Sequence, residues 1–212
     1  MFSPDLIAEL AAELQQSQRS RTPVEHFSKR HPGMTAEDGY RIGRAWVDLQ
    51  KAEGRQVIGH KIGLTSRAMQ ISSQIDEPDY GTLLDDMLYT AKAGEVLEIP
   101  VKNFIAPRVE VELAFVLKAP LAGPNVTVED VLAATEYVTP AIEIIDARIE
   151  QFDRHTKVMR KVFDTISDNA ANAGIVLGAG DERYHADPLT TDLPWCGAVL
   201  KQNGVVEETG LA

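Results

Sequence analysis

The sequence predicts an α+β fold in which N-terminal helices precede a mixed, mostly antiparallel β-sheet core. Three observations carry this expectation. Apolar residues recur at helical spacing before residue 55, short β-branched runs take over from residue 56, and regular βαβ alternation is absent. Residues 1–55 are read as an N-terminal helical segment and residues 56–212 as a β-rich catalytic core, the two making one structural unit.

The first helix is marked by Leu6, Ile7, Leu10 and Leu14, with Ser3 as N-cap and Pro4 at the first helical position. A second begins at Thr35-Ala-Glu-Asp38, a capping box with Asp in place of the usual Glu or Gln. Tyr40, Ile42, Trp46, Val47 and Leu49 continue it to Gly54. Val57–Leu64 and residues 96–105 read as strands, and Arg108–Leu117 alternates. Thr127-Val-Glu-Asp130 opens a short helix, and strands are expected at Tyr137–Ala147 and Ala173–Leu177. Asn203-Gly204 lies between two strand-like segments and is a strong signal for a tight hairpin turn. The charged stretch 149–161 contains no Gly or Pro and is expected to be an exposed loop or short helix able to cover a cleft.

Composition narrows the function. With 212 residues, 44% of them hydrophobic, the chain can bury a core without staples. Its 32 acidic against 21 basic residues give a net charge of −11, which repels phosphate backbones and anionic lipid, so neither nucleic acid nor membrane is expected as a partner. One cysteine, Cys196, excludes an internal disulfide and a cysteine zinc site. The chain has neither a basic leader with a long apolar run nor a membrane-length stretch, and a cytoplasmic location is expected.

The candidate chemistry lies in carboxylates on strands. In Arg108-Val-Glu-Val-Glu112, Glu110 and Glu112 share one strand face. They are either a solvated pair or, if the apolar continuation Ala114–Leu117 means a covered strand, a pair that needs a cation such as Mg²⁺ or Mn²⁺. Glu143 and Asp146 interrupt another apolar strand with opposite parity. Glu143, the deeper in the run, is the expected third ligand, against the alternative of an edge glutamate facing water. Lys61 sits inside Val57–Leu64, either as a desolvated proton-transfer group or as a snorkelling edge lysine. His60 is read as structural, and the remaining histidines lack ligand spacing. Asp79 falls in the turn-like Glu77-Pro-Asp-Tyr-Gly81. Ser167-Asp-Asn169 is either a helix cap or a polar cradle for a substrate carboxylate. No Walker loop, Gly-x-Gly-x-x-Gly or Gly-x-Ser-x-Gly motif is present.

Five ordered motifs, Gly59–Ser66, Glu77–Gly81, Pro107–Glu112, Pro140–Asp146 and Ser167–Gly174, resemble the hydratase/decarboxylase family of meta-cleavage pathways, within the fumarylacetoacetase-like superfamily. The resemblance runs the length of the chain. It implies the fumarylacetoacetase-like sheet core, lacking here the C-terminal strands that family members add. It also implies a divalent metal, Mg²⁺ with Mn²⁺ as alternative, on Glu110, Glu112 and Glu143, and proton-transfer roles for Lys61 and Asp79. Substrate contacts are expected from Ser167, Asp168, Asn169 and Lys161, with Arg148, Arg160 and Lys161 as candidates for a distal carboxylate. The implied reaction in aromatic catabolism is hydration of a 2-hydroxy-2,4-dienoate or its 2-oxo-4-enoate tautomer, with a seven-carbon dioate favoured through Lys161–Asn169. The alternatives are decarboxylation of a 2-oxo-enedioate of the 4-oxalocrotonate type and a non-catalytic partner of an active paralogue. Family members form cyclic homo-oligomers, commonly pentamers or paired pentamers.

Overall fold

The structure is a computed structural model and describes residues 1–91, 94–178 and 184–212. The chain groups into two units, each assembled from separated stretches. The first takes Met1–Leu88, Glu98–Val109 and Ile144–Ile175, and the second takes Tyr89–Leu97, Glu110–Glu143 and Val176–Ala212.

The first unit is built around two long helices, α1 (Pro4–Ser20) and α3 (Ala36–Ala52), with the short α2 (Phe27–Arg30) between them. The Ser3 hydroxyl caps α1 by accepting from the Leu6 N–H, and the Thr35/Asp38 capping box starts α3 as the sequence predicts. Leu10 and Leu14 of α1 meet Ile42, Trp46 and Val47 of α3, and Phe27, Leu84 and Ile149 complete the buried cluster. Helix α6 (Val162–Ser167), which the sequence reading did not predict, packs on α3. It does so closely because Gly39 and Gly43 have no side chains: a Cβ at Gly39 would lie 3.0 Å from the Phe163 carbonyl oxygen, and one at Gly43 would lie 3.2 Å from that of Ile166.

Strand β1 (Val57–Gly63) pairs antiparallel with β2 (Asp79–Leu84), with α4 (Arg67–Ser73) between them. Asp79 is thus the first residue of a strand, where the Glu77–Gly81 motif suggests only a turn. The four-stranded sheet has the order β3-β6-β5-β4, from β3 (Leu88–Ala91), β6 (Asn172–Gly178), β5 (Thr135–Ile145) and β4 (Arg108–Leu117). The strand expected at 96–105 is not formed. Val96 and Val101 are exposed, and the segment makes a single 3₁₀ turn at Val101–Asn103 before the Asp146 carboxylate accepts from the N–H groups of Ile105 (2.8 Å) and Ala106 (2.6 Å).

In the second unit, α5 (Val128–Ala134) runs directly into β5. The hairpin of β7 (Gly197–Gln202) and β8 (Val205–Leu211) turns at Asn203 and Gly204, both with positive φ, as the Asn-Gly signal predicts. Among the described residues β4 lies at the edge of its sheet, and Val109, Val111, Phe115 and Leu117 are more than 40% exposed, where the apolar run suggests a covered strand. Its apolar run alone did not distinguish an edge from a centre. No helix among the described residues is long and apolar enough to cross a membrane.

The segment 149–161 is an irregular loop closed by a bridge between Phe152 and Met159. It is less exposed than its charge suggests. Ile149 and Asp153 are buried, and the Asp153 carboxylate accepts from Lys29 Nζ (2.6 Å) and from the N–H groups of His155 and Thr156. At the start of α6, Asp164 is fully buried and accepts from the Ser28 N–H (2.8 Å), the Ser28 hydroxyl (2.6 Å) and the Lys161 N–H (3.1 Å). Asp164→Ala would strand the buried Ser28 donors without partners, and a loss of about 3 kcal/mol is expected. Urea denaturation, read as a lowered midpoint at unchanged slope, checks this.

Candidate active site

Two constellations carry the candidate chemistry, one in each unit. In the second unit, the two-residue period of β4 puts Glu110 and Glu112 on one face, and the neighbouring β5 brings Glu143. One carboxylate oxygen from each lies within 4.8 Å of the other two, and among the described residues no other group of three or more His, Cys, Asp or Glu side chains meets that criterion. Glu143 is 4% exposed, whereas Glu110 is open to solvent. Two like charges 4 Å apart near a protein surface repel by about 4 kcal/mol, a repulsion that a cation between them would relieve. An all-oxygen donor set suits a hard divalent ion such as Mg²⁺. The residues present therefore fit a metal site of the expected composition.

In the first unit, Lys61 and Asp79 form a diagonal cross-strand pair. Lys61 is opposite Gly81, and Asp79 is opposite Gly63. The inward positions of β1 are Gly59, Lys61 and Gly63, while Ile58, His60 and Ile62 are exposed. Each charged side chain thus faces a glycine across the ladder. A Cβ on Gly63 would collide with both Asp79 Oδ1 and Lys61 Nζ, which places those two atoms beside one another, and a Cβ on Gly81 would collide with the Asn169 carbonyl oxygen.

Asp79 is 3% exposed, and its Oδ1 is buried without a hydrogen-bond partner. Burial pushes its carboxyl above the ordinary aspartate range, against the opposing pull of the Lys61 charge, a Gly63 N–H and the Arg160 charge. Lys61 Nζ donates to the Ala170 carbonyl at 3.3 Å. Tyr40 of α3 stacks on Tyr80 at 4.4 Å. Burial, with the charge of Asp79 next, pushes its hydroxyl up to about 12, so it stays a proton donor. Neither Tyr40 nor Arg160 was legible as a neighbour of Asp79. Tyr40 matches its helix periodicity, and Arg160 lies 81 residues away in a charged loop.

At Ser167–Asn169, where a helix cap or a polar cradle is expected, all three side chains have partners within the protein. The Ser167 hydroxyl donates to the Phe163 carbonyl at 2.8 Å. The Asp168 carboxylate is taken up by Arg148, by Arg160 (3.1 Å) and by the Arg148 N–H (3.0 Å). Asn169 bonds both backbone groups of Thr82. All three are buried and bonded within the protein, and none of the three side chains caps a helix. Arg148 is likewise committed to Asp168 and to the Asn172 carbonyl, while Lys161 is exposed at the start of α6.

No family model matches the sequence. Relatives that align along the whole of this chain, over about three quarters of their own length, are found. The chain is 52% identical over 212 residues to 2-oxo-hept-4-ene-1,7-dioate hydratase of Escherichia coli, covering 100% of this chain and 76% of that protein. It is 38% identical over 211 residues to 2-hydroxyhexa-2,4-dienoate hydratase of Comamonas testosteroni, covering 100% of this chain and 75% of that one. The chain belongs to the hydratase/decarboxylase family. Among solved structures, 4-oxalocrotonate decarboxylase from Pseudomonas putida G7, complexed with magnesium and adipate, superposes with a TM-score of 0.86 at 27% identity, covering 100% of this chain and 75% of that one. The same enzyme complexed with calcium and acetate gives 0.85. The α+β architecture with its N-terminal helices is thus the architecture of this family.

Asp79 generates a prediction with opposite signs for stability and activity. Its folded pKa is raised, so the native state binds the proton more tightly than the unfolded chain. Its contribution is favourable at acid pH and is lost as pH rises through the folded value. Asp79→Asn is expected to raise the melting temperature at neutral pH while lowering turnover by about 10²- to 10⁴-fold. Calorimetry from pH 4 to 8 together with steady-state kinetics checks both halves, and a variant that melts lower at pH 7 contradicts the first.

Proposed function

We propose that this chain is a metal-dependent hydratase that adds water to a 2-hydroxy-2,4-dienoate, or its 2-oxo-4-enoate tautomer, and that its substrate is the seven-carbon 2-oxo-hept-4-ene-1,7-dioate, converted to 4-hydroxy-2-oxoheptanedioate. The observation that carries this reading is the 52% identity over the whole chain to an Escherichia coli protein of that activity. Further support comes from hydratases acting on five- and six-carbon dienoates at 41% and 38% identity. The decarboxylase relative stands lower, at 32%. The hydro-lyase reading is therefore favoured over decarboxylation.

Glu110, Glu112 and Glu143 would hold the divalent metal. Mg²⁺ is the first choice, given a magnesium-bound structural relative and the all-carboxylate donor set. When bound, the ion supplies Lewis-acid polarisation of the 2-oxo group and neutralises the adjacent C1 carboxylate. The rest of the chemistry falls to the Lys61–Asp79 pair. Asp79, raised by burial and with an unmatched Oδ1, accepts a proton from the water that adds at C4. Lys61 holds the balancing proton at Nζ and delivers it to the far carbon of the dienol. Two protons leave oxygen, the enol hydroxyl's on ketonisation and the water's on addition, and two arrive at carbon, at the far carbon and then at C3, so the pair regains its starting state when the product leaves. In this reading the protein serves aromatic catabolism in the cytoplasm as a homo-oligomer, a pentamer or paired pentamers.

The test is to incubate the purified protein with Mg²⁺ and enzymatically generated 2-hydroxyhepta-2,4-diene-1,7-dioate, with a chelator control, and to identify the product by mass. Gain of one water, abolished by chelation, is expected; loss of CO₂ would assign the chain to the decarboxylase branch. Glu110→Ala, at an exposed position, is expected to lower metal-dependent turnover by at least about 100-fold with the melting temperature unchanged. Wild-type turnover in that variant refutes the metal assignment.

A further inference from the structure

Asp168, Asn169 and Ala170 are consecutive residues following α6, and each holds a different part of the surroundings of Lys61 and Asp79. Asp168, wholly buried, pairs with Arg160, a side chain only 9% exposed whose charge acts on Asp79. Asn169 closes a two-bond clamp on β2: its Oδ1 accepts from the Thr82 N–H at 2.7 Å, and its Nδ2 donates to the Thr82 carbonyl at 2.9 Å. The Ala170 carbonyl accepts from Lys61 Nζ at 3.3 Å.

The backbone that presents these groups is strained. Asn169, Ala170 and Ala171 have φ of 54°, 49° and 62°, so three successive non-glycine residues, two of them alanine, lie in the left-handed region. Such a residue costs on the order of 1–2 kcal/mol, and strain of this kind persists only where the surroundings over-determine it. The surroundings here do so. β2 approaches so closely that only a glycine fits at Gly81, against the Asn169 carbonyl, and the Asp146 N–H donates to the Ala171 carbonyl at 2.8 Å.

Taking Lys61 and Asp79 as the proton-transfer pair proposed above, we infer that Asn169 is a positioning residue for that pair, its clamp on Thr82 fixing the left-handed turn whose Ala170 carbonyl seats the Lys61 ammonium. Both polar groups of its amide bond to Thr82, and the side chain is buried, so its effect on the reaction passes through β2 and the turn and not through substrate. The groups facing Asp79 are Lys61 from β1, Arg160 from the segment before α6 and Tyr40 from α3. Of these, Lys61 is held by the turn through the Ala170 carbonyl, and Arg160 by Asp168, the residue immediately before the turn.

Asn169→Gly tests the inference because glycine accepts the left-handed backbone freely and removes only the clamp. The expected result is a fall in kcat of about 100-fold with KM changed less than about threefold, as for a misplacement on the order of 1 Å. The acidic limb of the pH–rate profile moves to higher pH as the cations that hold Asp79 down withdraw. Mn²⁺ affinity, titrated directly, stays at the wild-type value. Asn169→Asp keeps one of the two bonds and tolerates the same backbone, and it recovers part of the lost kcat. Should the glycine variant fail to fold, the aspartate variant decides by the same kcat and pH profile. Wild-type kcat and pH profile in the folded variant overturn the positioning role, and so does a change confined to KM. Lys61→Ala and Asp79→Asn are run alongside. Activity in those two overturns the proton-transfer reading itself, which separates its failure from that of the clamp.

Discussion

The first unit depends on one buried guanidinium. Arg148 is 2% exposed, lies 4.9 Å over the Trp46 ring and forms an ion pair with the fully buried Asp168. Its Nη2 reaches the carbonyls of Asp168 and Asn172, both at 2.8 Å. Its own carbonyl accepts from the Ser17 hydroxyl of α1 and from the Val24 N–H. A single residue thus ties the helical core, the end of α6 and the start of β6 together. A buried charge is tolerable only when donors and acceptors meet: here the guanidinium donates to Asp168 and Asn172, and the Asp168 carboxylate accepts from Arg148, Ile149 and Arg160. Asp168 answers Arg160 as well, which connects the core to the surroundings of Asp79.

Much of this was legible from sequence wherever local chemistry dominates. The two long helices, their caps, the Asn-Gly hairpin and the carboxylates Glu110, Glu112 and Glu143 follow from period, capping residues and turn preference. What was not legible depends on distant partners. Val96 and Val101 look like strand residues, yet their segment gives its N–H groups to the Asp146 side chain in place of a ladder. Helix α6 is too short for periodicity to show and relies on Gly39 and Gly43 across the core. Ser167, Asp168 and Asn169 have the composition of a ligand cradle, but a satisfied buried network has that same composition. Only the identity of the partners separates the two.

The two candidate constellations solve the problem of buried charge differently. The three glutamates bring acceptor-only charges together, an arrangement that a divalent cation would balance. Lys61 and Asp79 balance one another within the protein, with burial still outweighing the attraction at Asp79. At such a group burial and the neighbouring charges act in opposite directions, so the distance to a neighbouring charge matters to its proton affinity.

The facing glycines of β1 and β2 have an evolutionary consequence. Positions 61, 63, 79 and 81 are coupled, because a methyl group at 63 displaces both charges and one at 81 displaces the backbone that seats the lysine. Under the proposed chemistry, two residues with no functional group therefore constrain the pair as closely as the pair's own side chains do. A descendant released from the reaction is free to fill those gaps first, so enlargement at 63 or 81 would mark a lineage that has abandoned catalysis even while its lysine and aspartate persist.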